Sequence, residues 1–217
     1  MPVRSSFLVA IALLLACSLS ASAAEAKLPR VLLFGDSVCN YYSPYVKDLF
    51  KDQATVVFNG STWGDTRNAI KNLPAALLRD GGHWDVIHFN WGLHDIKNHI
   101  VVPIDEYEKS LRECVKILKA THARLVWGSI TPVGRDTGNA GDRLDSNVVA
   151  YNAVARKVME ENGIPIDDLY AAVKPKIAEL QKPDGVHFED SGCKVLAKSV
   201  FDSIVAVVQG KKVPAPK

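Results

Sequence analysis

A serine hydroxyl, an imidazole and a carboxylate are the groups in this chain whose types and spacing could do chemistry together. Ser37 closes the segment Phe34-Gly35-Asp36-Ser37, directly behind the apolar run Val31-Leu32-Leu33-Phe34. Far downstream, Asp184-Gly185-Val186-His187 sets a carboxylate three residues before an imidazole. A serine hydroxyl is a poor nucleophile until a base takes its proton. His187 is the base candidate, and a single tight turn can bring Asp184 against its ring to orient it and stabilise the imidazolium. The chemistry implied is nucleophilic attack on a carbonyl carbon. Each piece also has a plainer reading: Ser37 as a helix cap after a strand, Asp184-Gly185 as a common turn, His187 as a structural histidine.

These groups need elements to position them. The segments 31–34, 55–58, 86–89 and 125–127 are short, apolar and bounded by polar or turn residues, as buried strands are. Helices are predicted over 45–51, 68–78, 104–120, 147–162 and 191–208, with a further one over 169–180. Asn162-Gly163-Ile164-Pro165 reads as a helix stop that runs into a short fifth strand over 164–166. Such alternation predicts an α/β fold of three layers, a mostly parallel five-stranded sheet covered by helices on both faces. Ligands of these sheets bind beyond the carboxyl ends of the strands. Every candidate residue falls just after a predicted strand or in the last loop. The long loop over 131–146 lies on the same rim and could shape substrate access.

Two intermediate segments complete a pattern. Asn59-Gly60-Ser61-Thr62-Trp63-Gly64-Asp65-Thr66 follows the second strand, and Gly92-Leu93-His94-Asp95 follows the third. With the serine and histidine segments, this order resembles the SGNH hydrolases, also called the GDSL esterase/lipase family, over residues 30–208. The resemblance implies a flavodoxin-like sheet, Ser37 as nucleophile, His187 as general base and then acid, and Asp184 as its support. It implies an oxyanion hole built from the backbone N–H groups of Ser37 and Gly64 and a third donor at His94, where family members usually carry Asn. A neutral imidazole has one N–H to offer in place of the amide. Asp95 is expected to brace its loop. Trp63 and Trp91 precede Gly64 and Gly92 and could stack on a sugar or an acyl chain, and Arg135 and Arg143 could meet an acidic substrate group; packing and solvated-loop readings stand beside these.

The resemblance implies an ester hydrolase without a cofactor. Export and the lack of a long apolar lid favour short acyl groups, such as O-acetyl on polysaccharide. A lysophospholipase or arylesterase, an acyltransferase, and a catalytically weak glycan-binding envelope protein are the alternatives.

The composition agrees with an ordinary globular domain, here 28–210: 217 residues, 47% hydrophobic, 23% charged, formal net charge +2 and no dense basic block, which gives no support to a nucleic-acid partner. Arg4, the apolar run 7–16 and the small residues 18–24 read as a secretory signal peptide over 1–24, cleaved after Ala23 or Ala24. Leu14-Leu15-Ala16-Cys17 alternatively resembles a lipoprotein signal, with lipidated Cys17 as a membrane anchor. Without Cys17, Cys39, Cys114 and Cys193 remain, an odd number. Cys114 is expected in the core, and a Cys39–Cys193 disulfide is conceivable. His83, His88, His94 and His99 lack zinc spacing, so no metal is expected. A disordered tail is expected over 211–217.

Overall fold

The computed structural model describes residues 28–59, 64–97, 101–134 and 143–216. The segment 1–24 with Cys17, and the site candidates Trp63 and Arg135, lie outside the described residues. The strands are β1 (Arg30–Phe34), β2 (Thr55–Phe58), β3 (Val86–Phe89), β4 (Arg124–Gly128) and β5 (Ile166–Asp167). The helices are α1 (Ser37–Leu49), α2 (Thr66–Leu77), α3 (Ile104–Lys119), α4 (Asp145–Glu161), α5 (Leu169–Val173), α6 (Ile177–Leu180) and α7 (Asp190–Val208).

All strand pairings are parallel, in the order β2-β1-β3-β4-β5. The helices form two layers: α1 packs on α7, which also meets α5, while α2, α3 and α4 pack in sequence on the other side. Burial on both faces explains why Val31–Phe34 and all of β3 are inaccessible, as the continuous apolar runs require. The strand order reverses direction at β1, so the crevice between the carboxyl ends of β1 and β3 is the topological switch point where ligands of such sheets bind.

One element departs from its predicted bounds in a way that matters. The sequence pattern starts the first helix at residue 45, after Pro44; α1 starts eight residues earlier, at Ser37. A proline inside a helix removes one backbone hydrogen bond. Here the Asn40 carbonyl, which Pro44 cannot serve, accepts the Ser43 hydroxyl at 3.1 Å. The helix therefore continues through Pro44 and carries Ser37 in its first turn. The predicted helix over 169–180 is instead α5, a 3₁₀ turn over Lys174–Lys176 and α6, broken where Pro175 falls.

Two expectations are corrected. Trp91 is not on the rim: it is 2% exposed and packs with Phe34 and Phe89 at ring-centroid distances of 5.9 and 5.5 Å. Residues two apart in an extended chain point the same way, so Trp91 follows Phe89 into the core. Cys39 and Cys193 form no disulfide. Both are free and buried, as is Cys114. The Cys193 thiol faces the Phe188 carbonyl at 3.5 Å, and Cys39 lies under Gly35 in the β1–α1 turn.

Candidate active site

The site is assembled from the turn after β1 upward. Asp36 caps α1: its Oδ1 accepts the N–H groups of Val38 (2.9 Å) and Cys39 (3.4 Å), and its carbonyl accepts that of Asn40 (3.1 Å). This leaves the Ser37 N–H outside the cap network, at the positive end of the helix dipole. The turn tolerates no side chain at position 35. A Cβ on Gly35 would stand 2.6 Å from Asn90 Oδ1 and 2.6 Å from Cys39 Cβ, so glycine is what lets the turn close against the end of β3.

The histidine comes from the turn between α6 and α7. Its base is closed by the Lys182 N–H on the His187 carbonyl (2.8 Å) and the Glu189 N–H on the Leu180 carbonyl (2.9 Å). Within it, Asp184 Oδ1 accepts the N–H groups of Val186 and His187, both at 2.9 Å. The other carboxylate oxygen, Oδ2, lies 2.7 Å from His187 Nδ1. Burial pushes the Asp184 carboxyl up, but these N–H groups and the imidazole outweigh it and hold the carboxyl below its usual range. An ionised carboxylate can only accept, so Nδ1 carries the proton and Nε2 is left as an acceptor. Ser37 Oγ lies 2.8 Å from that Nε2, bridging residues 150 apart in sequence. Ser37, His187 and Asp184 thus form one continuous hydrogen-bonded chain.

Gly64 and His94 stand on either side of β1 in the order of the sheet, after β2 and β3. Gly64 has a left-handed backbone, φ +68°, and a Cβ there would press on Asn68 Nδ2 at 2.9 Å. Next to it, Asp65 caps α2 by accepting the Arg67 and Asn68 N–H groups. His94 is half-buried. Burial pushes its pKa down, aided by Lys97 and Arg143 and opposed by Asp36 and Asp65, so the neutral ring with a single N–H is favoured. Two buried contacts hold its loop. Asp95 Oδ1 accepts both the N–H (3.0 Å) and the hydroxyl (2.6 Å) of Thr66, which ties the His94 loop to the start of α2 two residues after Gly64. Arg143 donates from Nε to the Leu93 carbonyl at 2.6 Å; it is a buried prop of this loop rather than a solvent-facing arginine.

Sequence reasoning missed Tyr41. It is 43% exposed on α1, and its ring meets His187 at a centroid distance of 5.1 Å. Ser37 and Tyr41 are four apart on one helix, a spacing that would have placed them on one face; starting the helix at residue 45 hid it. Among the described residues, no cluster of His, Cys, Asp and Glu is placed to hold a metal ion.

Comparison with known proteins agrees with this architecture. The model of the GDSL-like Lipase/Acylhydrolase family matches residues 33–195, more than half of the chain. The chain belongs to that family and is an ester-hydrolysing enzyme. It is 24% identical to an isoamyl acetate-hydrolyzing esterase 1 homolog of Rattus norvegicus, with 83% of each chain covered. Among solved structures it resembles a lipase/acylhydrolase from Enterococcus faecalis, with a TM-score of 0.69, 17% identity and coverage of 87% of this chain and 100% of that one. It also resembles an acetylxylan esterase from Geobacillus stearothermophilus, with a TM-score of 0.68, 19% identity and coverage of 80% and 93%. These structural likenesses establish the shared fold.

Proposed function

We infer that Ser37, His187 and Asp184 are the catalytic trio of an esterase for short acyl groups, such as O-acetyl on carbohydrate. The observation that carries the reading is the unbroken chain from Ser37 Oγ through His187 to Asp184, with spacings of 2.8 and 2.7 Å. In the first half-reaction, Ser37 Oγ attacks the ester carbonyl as its proton passes to His187 Nε2. The new charge on Nδ1–H and Nε2–H is stabilised by Asp184. The carbonyl oxygen becomes an oxyanion that receives the N–H groups of Ser37 and Gly64 and the single ring N–H of neutral His94. The tetrahedral intermediate collapses, His187 gives its proton to the leaving alcohol, and the acyl group stays on Ser37. Water then repeats the attack with His187 as base, releasing the acid and restoring the hydroxyl.

A short acyl group is supported by two relatives whose names carry acetate esters, the isoamyl acetate-hydrolyzing homolog and the acetylxylan esterase. Export fits the signal-like segment 1–24, with a soluble product cleaved after Ala23 or Ala24 or an anchored one beginning at lipidated Cys17. Among the described residues no helix is long and apolar enough to cross a membrane. Mass spectrometry of the processed N-terminus separates the two forms.

The deciding test is hydrolysis of p-nitrophenyl acetate, beside acetylated xylo-oligosaccharide, by wild type and Ser37→Ala. The expected loss in kcat is on the order of 10⁶-fold. An unchanged rate in Ser37→Ala would sink the trio. A wild type that prefers long acyl chains over acetate would remove the substrate reading and leave the trio standing.

A further inference from the structure

We propose that Tyr41 and Lys182 form an aromatic–cation clamp that holds the His187 imidazole in line with Ser37, making Tyr41 a positioning residue; the inference rests on the reading of Ser37 and His187 as nucleophile and base. His187 lies on an irregular turn, and its Nδ1 is tied to Asp184, whose side chain is 45% exposed. Water competes for a carboxylate that open, so the bond alone leaves the ring free to swing. Tyr41 supplies a wall. The two rings are tilted at 47° with centroids 5.1 Å apart, within the range of favourable aromatic contacts.

The same tyrosine ring takes a second contact from the turn. Lys182 Nζ lies 4.5 Å from its centroid, inside cation–π range. Lys182 and His187 face each other across the base of the turn through the 2.8 Å backbone bond. Both sides of the histidine turn therefore rest on one ring, and that ring belongs to the helix that carries Ser37. Tyr41 is too exposed to be explained as core, and its contacts with His187 and Lys182 are both made by the ring. The ring face is the working part, so phenylalanine should replace it.

Three variants test the clamp: Tyr41→Ala, Tyr41→Phe and Lys182→Met. With p-nitrophenyl acetate, Tyr41→Ala is expected to lower kcat roughly tenfold with KM unchanged, Lys182→Met about threefold, and Tyr41→Phe to stay within about twofold of wild type. Wild-type kcat in Tyr41→Ala, or equal losses in the Ala and Phe variants, would overturn the clamp. A raised KM with kcat intact would overturn it too, by making Tyr41 a substrate contact. A second readout is independent of turnover: the His187 Nδ1–H proton in spectra of ¹⁵N-histidine-labelled protein. It should be sharp in wild type and Tyr41→Phe and broadened by exchange in Tyr41→Ala. Persistence of the signal in Tyr41→Ala refutes the clamp. Failure of an organophosphonate to label Ser37 in wild type would instead refute the underlying site, while the spectra still decide whether Tyr41 holds the ring.

Discussion

Asp184 does two jobs with two oxygens. Oδ1 builds the turn through the Val186 and His187 N–H groups, and Oδ2 fixes the imidazole tautomer. Asp184→Asn should preserve the first and destroy the second, because an amide N–H facing Nδ1 favours the tautomer with its proton on Nε2. Kcat should fall roughly 10²–10⁴-fold with little change in KM, the upper end being the effect of the same change at a buried triad. Steady-state kinetics above pH 7 would check it. His94 is the third oxyanion donor in the proposed mechanism. If its N–H receives the oxyanion, His94→Ala loses about 10²–10³ in kcat, while His94→Asn retains most of it. An alanine variant with wild-type kcat would leave His94 as a packing residue only.

At the scale of elements, the link from the His94 loop to α2 is the vulnerable one. Asp95 is fully buried, and burial raises its pKa to about 7 despite the Thr66 hydrogen bonds; Asp65 adds to the rise and Arg67 opposes it. The folded state therefore holds this proton more tightly than the unfolded chain. The stability contributed is complete below the unfolded value near 3.8 and is lost as pH rises through about 7. Asp95→Asn keeps an acceptor for the Thr66 N–H and hydroxyl and removes the titration, so its unfolding free energy should depend less on pH between 4 and 7 than that of wild type. Urea titrations across that window test this. Asp95→Ala strands both buried donors at about 1–3 kcal/mol each. The Asp36 cap acts in the same way on α1: Asp36→Ala should cost about 0.5–2 kcal/mol and loosen the turn that presents Ser37.

Across the whole molecule, the sheet is pinned by a polar contact that spans three strands. His88 on β3 reaches Asp167 on β5 at 3.0 Å, and Asp167 also accepts the Ser199 hydroxyl of α7 at 2.6 Å. The path passes over Gly128 of β4, where a Cβ would stand 2.7 Å from His88 Cε1. β5 has two residues and little ladder of its own, so this contact holds it and the stretch leading to the histidine turn. Gly128→Ala should cost roughly 1–3 kcal/mol by overpacking, and His88→Ala about 1–3 kcal/mol by leaving Asp167 Oδ2 buried without its hydrogen bond. Denaturant midpoints measure both. A neutral effect would mean that α7 packing alone secures β5.

The sequence by itself determined the periodicities and the punctuation. Apolar runs marked the strands, and the chemically able residues fell just after them or in the last loop, because parallel strands buried on both faces must be apolar and their loops need not be. The serine and histidine segments were legible for the same reason: a short turn dictates its own residues. The direction in which a side chain faces, and what it meets from afar, was decided by tertiary structure. Trp91 turned into the core, Cys39 and Cys193 stayed apart, and the first helix ran back through Pro44 to Ser37 once a cap and a serine hydroxyl had offset the proline. The strand order that sets β1 beside β3, and the 150-residue closure from Ser37 to His187, are non-local. They depend on which helix faces pack together, a balance of burial over the whole chain that no local window of sequence contains.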